Sequence, residues 1–158
     1  MKTLDYIKLN ESEVASVVAS LQQLLADFQV YYTNLRGFHW NIKGRDFFVL
    51  HAKFEELYQD VAEKVDELAE RVLMLGGTPV SKFSDYLKVA KVKELDGVTN
   101  GDEALGNILE TYAYFISQER NLLAQASAAA DEVTVALMSD YLKEQEKMVW
   151  MLTAYNHK

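Results

Sequence analysis

The chain has 158 residues, a formal net charge of −8 and no cysteine, which excludes disulfides, thiolate metal sites and thiol nucleophiles. The acidic balance argues against nucleic-acid binding by the body of the fold, because phosphate contacts need Lys and Arg, and it suits a surface that attracts cations. No run reaches the ~18 apolar residues that span a bilayer, and residues 1–9 lack the features of a secretion signal, so one cytoplasmic domain over residues 1–158 with no membrane association is expected.

Asn10 opens the first long helix, with Glu13 three residues on in a capping-box-like pattern. Val14, Val17, Leu21, Leu24, Leu25, Phe28, Tyr31 and Leu35 then recur at helical spacing. Gly37 and Gly44 bracket an expected turn that contains His39 and Trp40. The second long helix is expected from about Asp46 to Leu75, on a stripe of Leu50, Phe54, Leu57, Val61, Val65, Leu68, Val72 and Leu75. Gly76-Gly77-Thr78-Pro79 then reads as a glycine C-cap followed by proline. Phe83, Tyr86, Leu87 and Val89 support a short helix within residues 81–89, and residues 92–101 read as a loop. A third long helix runs from about Asp102 to the alanine-rich stretch at 126–130, and a fourth begins at Asp131 or Glu132. The fold class is therefore all-α: a ferritin-like four-helix bundle with a short extra helix in the long connection between the second and third long helices.

The three histidines set the chemistry. His39 and His51 lie twelve residues apart, and Asp66 and Glu70 follow one helical turn from each other. Imidazole and carboxylate without thiolate suit iron, manganese or zinc. On a helical wheel with Leu50 at zero, His51, Glu55, Asp66 and Glu70 fall at about 100° to 200°, beside the apolar stripe and interleaved with Tyr58 and Ala62. The competing reading is a solvated acidic face and a capped or core histidine, since Glu56, Asp60, Glu63 and Glu67 crowd the same helix. One geometric constraint is firm. Fifteen residues at about 1.5 Å each separate His51 from Asp66 by roughly 22 Å, whereas metal ligands sit about 2 Å from their ion. If all four bind one centre, two copies of the helix must run antiparallel. No Glu-x-x-His occurs anywhere, so the pairs that build a centre inside one bundle are missing.

Residues 34–79 resemble the Dps family of miniferritins (DNA-binding proteins from starved cells). The matching motifs are Gly37-Phe38-His39-Trp40-Asn41, Phe47-Phe48-Val49-Leu50-His51, Phe54-Glu55-Glu56-Leu57-Tyr58, Val65-Asp66-Glu67-Leu68-Ala69-Glu70-Arg71 and Gly76-Gly77-Thr78-Pro79. The helical layout extends the similarity over nearly the whole chain.

The resemblance implies a hollow dodecamer that oxidises Fe(II), preferably with hydrogen peroxide, and stores ferric mineral. It implies two irons at each two-fold interface, held by His39, His51 and Glu55 of one subunit and Asp66 and Glu70 of the next. Asp66, Glu70 and His39 would hold the first iron, and His51 and Glu55 a weaker second. Glu55 stands where the family often has Asp. Trp40 is expected as interface packing or as a redox neighbour of the centre. Arg71 is expected to pair with a carboxylate. Asp131 and Glu132, with Asp140 behind them, are the acidic residues expected at a three-fold pore or at a helix N-terminus.

Some members of this family bind DNA through lysine-rich tails. Here Lys2 and Lys8 stand against Asp5, and the chain ends Asn156-His157-Lys158, so DNA binding is expected to be weak or absent. The alternative readings are a non-enzymatic shell or a nucleoid-associated DNA-protecting protein.

Overall fold

The computed structural model describes residues 2–157 and contains six helices among them. They are α1 (Thr3–Ile7), α2 (Glu11–Asn41), α3 (Phe47–Met74), α4 (Phe83–Val89), α5 (Gly101–Ala128) and α6 (Glu132–Tyr155). Helices α2, α3, α5 and α6 form the bundle, and α4 lies in the crossover as expected.

The connectivity follows from the contacts at each end. At the end holding the α2–α3 turn, the Lys43 N–H donates to the Thr99 carbonyl, so α5 starts there. At the opposite end Gly77 abuts Val18, Ser20 bonds Gln125, and Arg71 meets Asp131. The crossover therefore spans the bundle length, and α3 and α5 run in the same direction.

Aromatic contacts fill the core, from the middle of the bundle to the α2–α3 turn. Phe28 of α2 lies flat on Phe115 of α5 with centroids 4.2 Å apart, and Phe38 meets Phe54 edge-on at 5.9 Å. The stripe expected on α3 is buried, with Val65 at its margin.

The crossover is held by polar side chains of α2 that sequence patterning does not mark. Asp27 accepts from the Lys91 and Val92 N–H groups at 2.6 and 2.9 Å and from the Tyr114 hydroxyl at 2.7 Å. Asn34 donates to the Lys93 carbonyl and accepts from the Leu95 N–H. Gln22 does the same with the Thr78 carbonyl and the Val80 N–H. Buried backbone groups of an irregular segment need such partners.

Two boundaries depart from the sequence reading. The α2 helix does not break at Gly37; it continues to Asn41, so His39 and Trp40 sit on the helix rather than in a turn. A mid-helix glycine costs about 1 kcal/mol relative to alanine. Burial of Phe38, beside Leu35 and Ile42 in the core, offsets that cost. The chain reverses only at residues 42–46, where Gly44 takes φ +111°. Second, residues 3–7 form a short helix that no apolar periodicity in the sequence marks. Its anchor is Leu4, buried against Gly76.

The glycine stop of α3 forms as expected. The Gly77 N–H donates to the Val72 carbonyl and the Gly76 N–H to the Leu73 carbonyl, with Gly76 at φ +80°. The same pattern closes α5, with Ala130 in the glycine-favouring position at φ 53°.

Candidate metal centre

The turn between α2 and α3 builds the histidine half of the site. Because the Lys43 N–H turns away to Thr99, the His39 carbonyl near the end of α2 loses its usual helical donor. The Nδ1–H of His51 takes that place at 2.7 Å. The relation is mutual, since Nδ1–H of His39 donates to the His51 carbonyl, also at 2.7 Å. A carbonyl only accepts, so each Nδ1 carries the hydrogen. In the neutral ring the remaining lone pair then lies on Nε2, the atom that binds a metal. The rings stack with centroids 3.7 Å apart and 15° between planes.

Packing fixes both rings. His39 is 9% exposed and meets the Tyr58 ring edge-on at 5.4 Å. Phe47 stacks on the His51 ring at 5.0 Å. Glu55, one turn after His51, is half-buried, and its only bond among the described residues is a 3.4 Å contact from Gln59.

Asp66 and Glu70 lie elsewhere. Both are exposed on the same unbroken helix α3, Asp66 about 22 Å and Glu70 about 28 Å down its axis from His51. Neither carboxylate has a hydrogen-bond or ion-pair partner among the described residues. No group of three or more His, Asp or Glu side chains converges on one point among the described residues. One chain thus brings His39, His51 and Glu55 together and leaves Asp66 and Glu70 apart.

The remaining expected residues fall as follows. Trp40 is 62% exposed and lies under the Arg36 guanidinium, 4.6 Å from its ring centroid. Asp131 is 1% exposed. Its carboxylate meets Arg71 Nη2 at 2.5 Å and accepts from both the N–H and the hydroxyl of Thr134. It is the N-cap of α6 and the partner of Arg71. Glu132 and Asp140 are exposed.

A second polar cluster sits inside the bundle. Glu119 is 0% exposed and accepts from Gln145 Nε2 at 2.6 Å. Burial is the main cause that pushes its carboxyl up to about 8; the Gln145 bond and the Lys64 charge oppose that rise. Lys64 is buried between Asp60 and Glu144, each 2.6 Å from Nζ. Burial works against its charge, and those two bonds more than offset it, so its pKa rises.

The Ferritin-like domain family model matches residues 18–158. The chain is 52% identical to the DNA protection during starvation protein of Porphyromonas gingivalis over 99% of both chains. It is 36% identical to DNA protection during starvation protein 2 of Bacillus anthracis, over 88% of this chain and 95% of that one. Among solved structures it is similar to a Dps protein from Vibrio cholerae, described as a member of a broad superfamily of ferritin-like diiron-carboxylate proteins. That match has a TM-score of 0.92 and 46% identity over 94% of both chains. The Dps protein of Bacillus brevis matches with a TM-score of 0.89 and 34% identity, over 92% of this chain and 98% of that one.

Proposed function

Because the chain belongs to the Dps family of ferritin-like proteins, we propose that it is an iron-storing miniferritin whose ferroxidase centres form between subunits. The observation that carries this reading is the divided ligand set. Two imidazoles with fixed Nε2 positions stand at one end of α3, and two unengaged carboxylates at the other. An antiparallel pair of such helices about a two-fold axis joins each histidine end to a carboxylate end, twice.

Iron is the substrate. Asp66 and Glu70 attract the first Fe(II) by charge, and His39 of the facing subunit completes its shell. His51 and Glu55 hold the second more weakly, with the longer Glu arm reaching further than Asp would. Two Fe(II) ions supply one electron each to hydrogen peroxide. With two protons the O–O bond is cleaved to two waters, and no hydroxyl radical leaves. The ferric product is stored inside a hollow dodecamer in the cytoplasm. Glu132 is the exposed acidic residue for an iron entry pore, with Asp131 fixed behind it by Arg71.

Binding of DNA is weak or absent in this reading, although relatives are named for DNA protection. Twelve copies would carry roughly −96 formal charges. The N-terminal segment is docked through Leu4, and Lys2 pairs with Glu11. Lys158 lies outside the described residues. Tight retention of duplex DNA at low salt in a gel shift would reverse this point and favour a DNA-protecting role.

The test of function is Fe(II) and peroxide added to apo-protein, with ferric absorbance followed in time. A His39→Ala, Asp66→Ala double variant should lose rapid oxidation. Wild-type speed in that variant would sink the assignment, and native mass measurement should give twelve subunits.

A further inference from the structure

Gly101, the first residue of α5, has no conformational need to be glycine. Its φ lies outside the left-handed region, unlike those of Gly44 and Gly76. What it provides is space. A Cβ there would stand 2.7 Å from Leu50 Cδ1, with Ile42 Cδ1 at 4.0 Å. Leu50 and Ile42 are both buried, so neither side chain can swing into solvent. Both belong to the hairpin that carries the histidines. Ile42 caps α2 three residues after His39, and Leu50 directly precedes His51. The Leu50 N–H donates to the Asp46 carbonyl at 2.8 Å, in the turn where Phe47 stacks on the His51 ring. Two residues before Gly101, the Thr99 carbonyl holds the Lys43 N–H at 3.0 Å. The start of α5 thus holds the hairpin by a hydrogen bond just past α2 and by close packing on α3.

We infer that Gly101 is a positioning residue of the metal centre: the close approach it allows between α5 and Leu50 sets where the His39–His51 pair stands. This rests on the ferroxidase reading. Gly101 touches neither histidine and acts through Leu50. The depth at which Leu50 seats against α5 fixes the first turn of α3, which presents both the His51 ring and the His51 carbonyl. That carbonyl accepts from His39 Nδ1–H, so a shift of the turn reaches the second ring as well. The return bond, from His51 Nδ1–H to the His39 carbonyl, shifts with it. A methyl at position 101 has no room beside Leu50, and extra volume in a packed core moves side chains and backbone. Both Nε2 atoms then leave the line they hold toward the carboxylates of the facing subunit.

The experiment titrates assembled apo-protein with Co(II) under anaerobic conditions, follows Fe(II) oxidation by peroxide in stopped flow, and measures urea unfolding in parallel. Gly101→Ala should weaken Co(II) binding and slow oxidation, each by about 10-fold, the lower end of what loss of an outer partner of a metal ligand costs. The double variant Gly101→Ala, Leu50→Val gives back the added methylene and should recover most of both. Gly106→Ala, at a position of the same helix with nothing within 4 Å of the added Cβ, should change neither. Wild-type Co(II) affinity and oxidation rate in Gly101→Ala, whatever its stability, overturn the positioning role alone. So does a double variant that regains stability without regaining oxidation. If Gly101→Ala does not assemble, the double variant decides: rapid oxidation supports the role and slow oxidation overturns it. Absence of ferric product in wild type overturns the ferroxidase reading and the positioning role with it.

Discussion

His39 and His51 each donate Nδ1–H to the other's backbone carbonyl at 2.7 Å, so the two helices of one hairpin orient each other's imidazoles. This sets both tautomers without any carboxylate partner. His39→Ala should slow peroxide-driven iron oxidation by at least about 100-fold, because even partners one shell beyond a metal cost 10–100-fold when removed. Its stability cost should stay near 1 kcal/mol, the value of one hydrogen bond. Stopped-flow absorbance and urea unfolding measure the two effects separately.

Glu119 and Gln145 form a buried pair in which one bond is made and two acceptors, Glu119 Oε2 and Gln145 Oε1, have no donor. A proton on Glu119 provides that donor. The sign follows from the carboxyl being raised from 4.5 to about 8 by burial. The folded state binds a proton that the unfolded state releases, so this contribution is full below about 4.5 and is lost as pH rises toward about 8. Glu119→Gln carries a permanent donor. It should flatten the fall in stability over that window and be more stable than wild type at pH 8, by about 1–3 kcal/mol. Urea unfolding across that range would show it, and parallel curves for the two proteins would refute it.

Arg71 and Asp131 are both buried, at 5% and 1% exposure. Arg71→Met would strand a buried carboxylate and should destabilise by about 3 kcal/mol or more. The double variant Arg71→Met, Asp131→Asn should recover most of that loss, because Asn keeps the α6 cap without the charge. Equal loss in single and double variants would show that Arg71 acts through packing alone.

Ala130 holds a left-handed conformation at φ 53° and is exposed. An L-residue there costs roughly 1–2 kcal/mol relative to glycine. Ala130→Gly should therefore raise stability by about 1 kcal/mol, readable as a higher unfolding midpoint.

Much of the bundle was legible because the stripes on α2, α3, α5 and α6 follow helical spacing and because Gly76 and Gly77 stop α3 as such pairs do. The end of α2 was misplaced for a tertiary reason: Gly37 reads as a breaker locally, yet burial of Phe38 carries the helix past it. The α1 helix was not legible, since Leu4 is its single buried residue. Asp27 and Asn34 look like ordinary polar helix positions until the crossover is folded onto them. At the site, residue spacing pointed to His39 and His51, but their mutual carbonyl bonds depend on where Lys43 donates. Asp131 reads as an acidic helix start or as a pore residue; its burial against Arg71 joins residues sixty positions apart, which no local pattern reveals.

If each iron site draws histidine and carboxylate ligands from different subunits, two inactive variants should complement each other. The direct measurement mixes His39→Ala and Asp66→Ala subunits, reassembles them at random, and records oxidation of Fe(II) by peroxide. Each variant alone should be inactive. Half of the two-fold pairs in the mixture join unlike subunits, and one of the two centres in such a pair is intact, so about one quarter of wild-type activity should return. Activity that stays at the level of the separate variants would rule out centres shared between subunits.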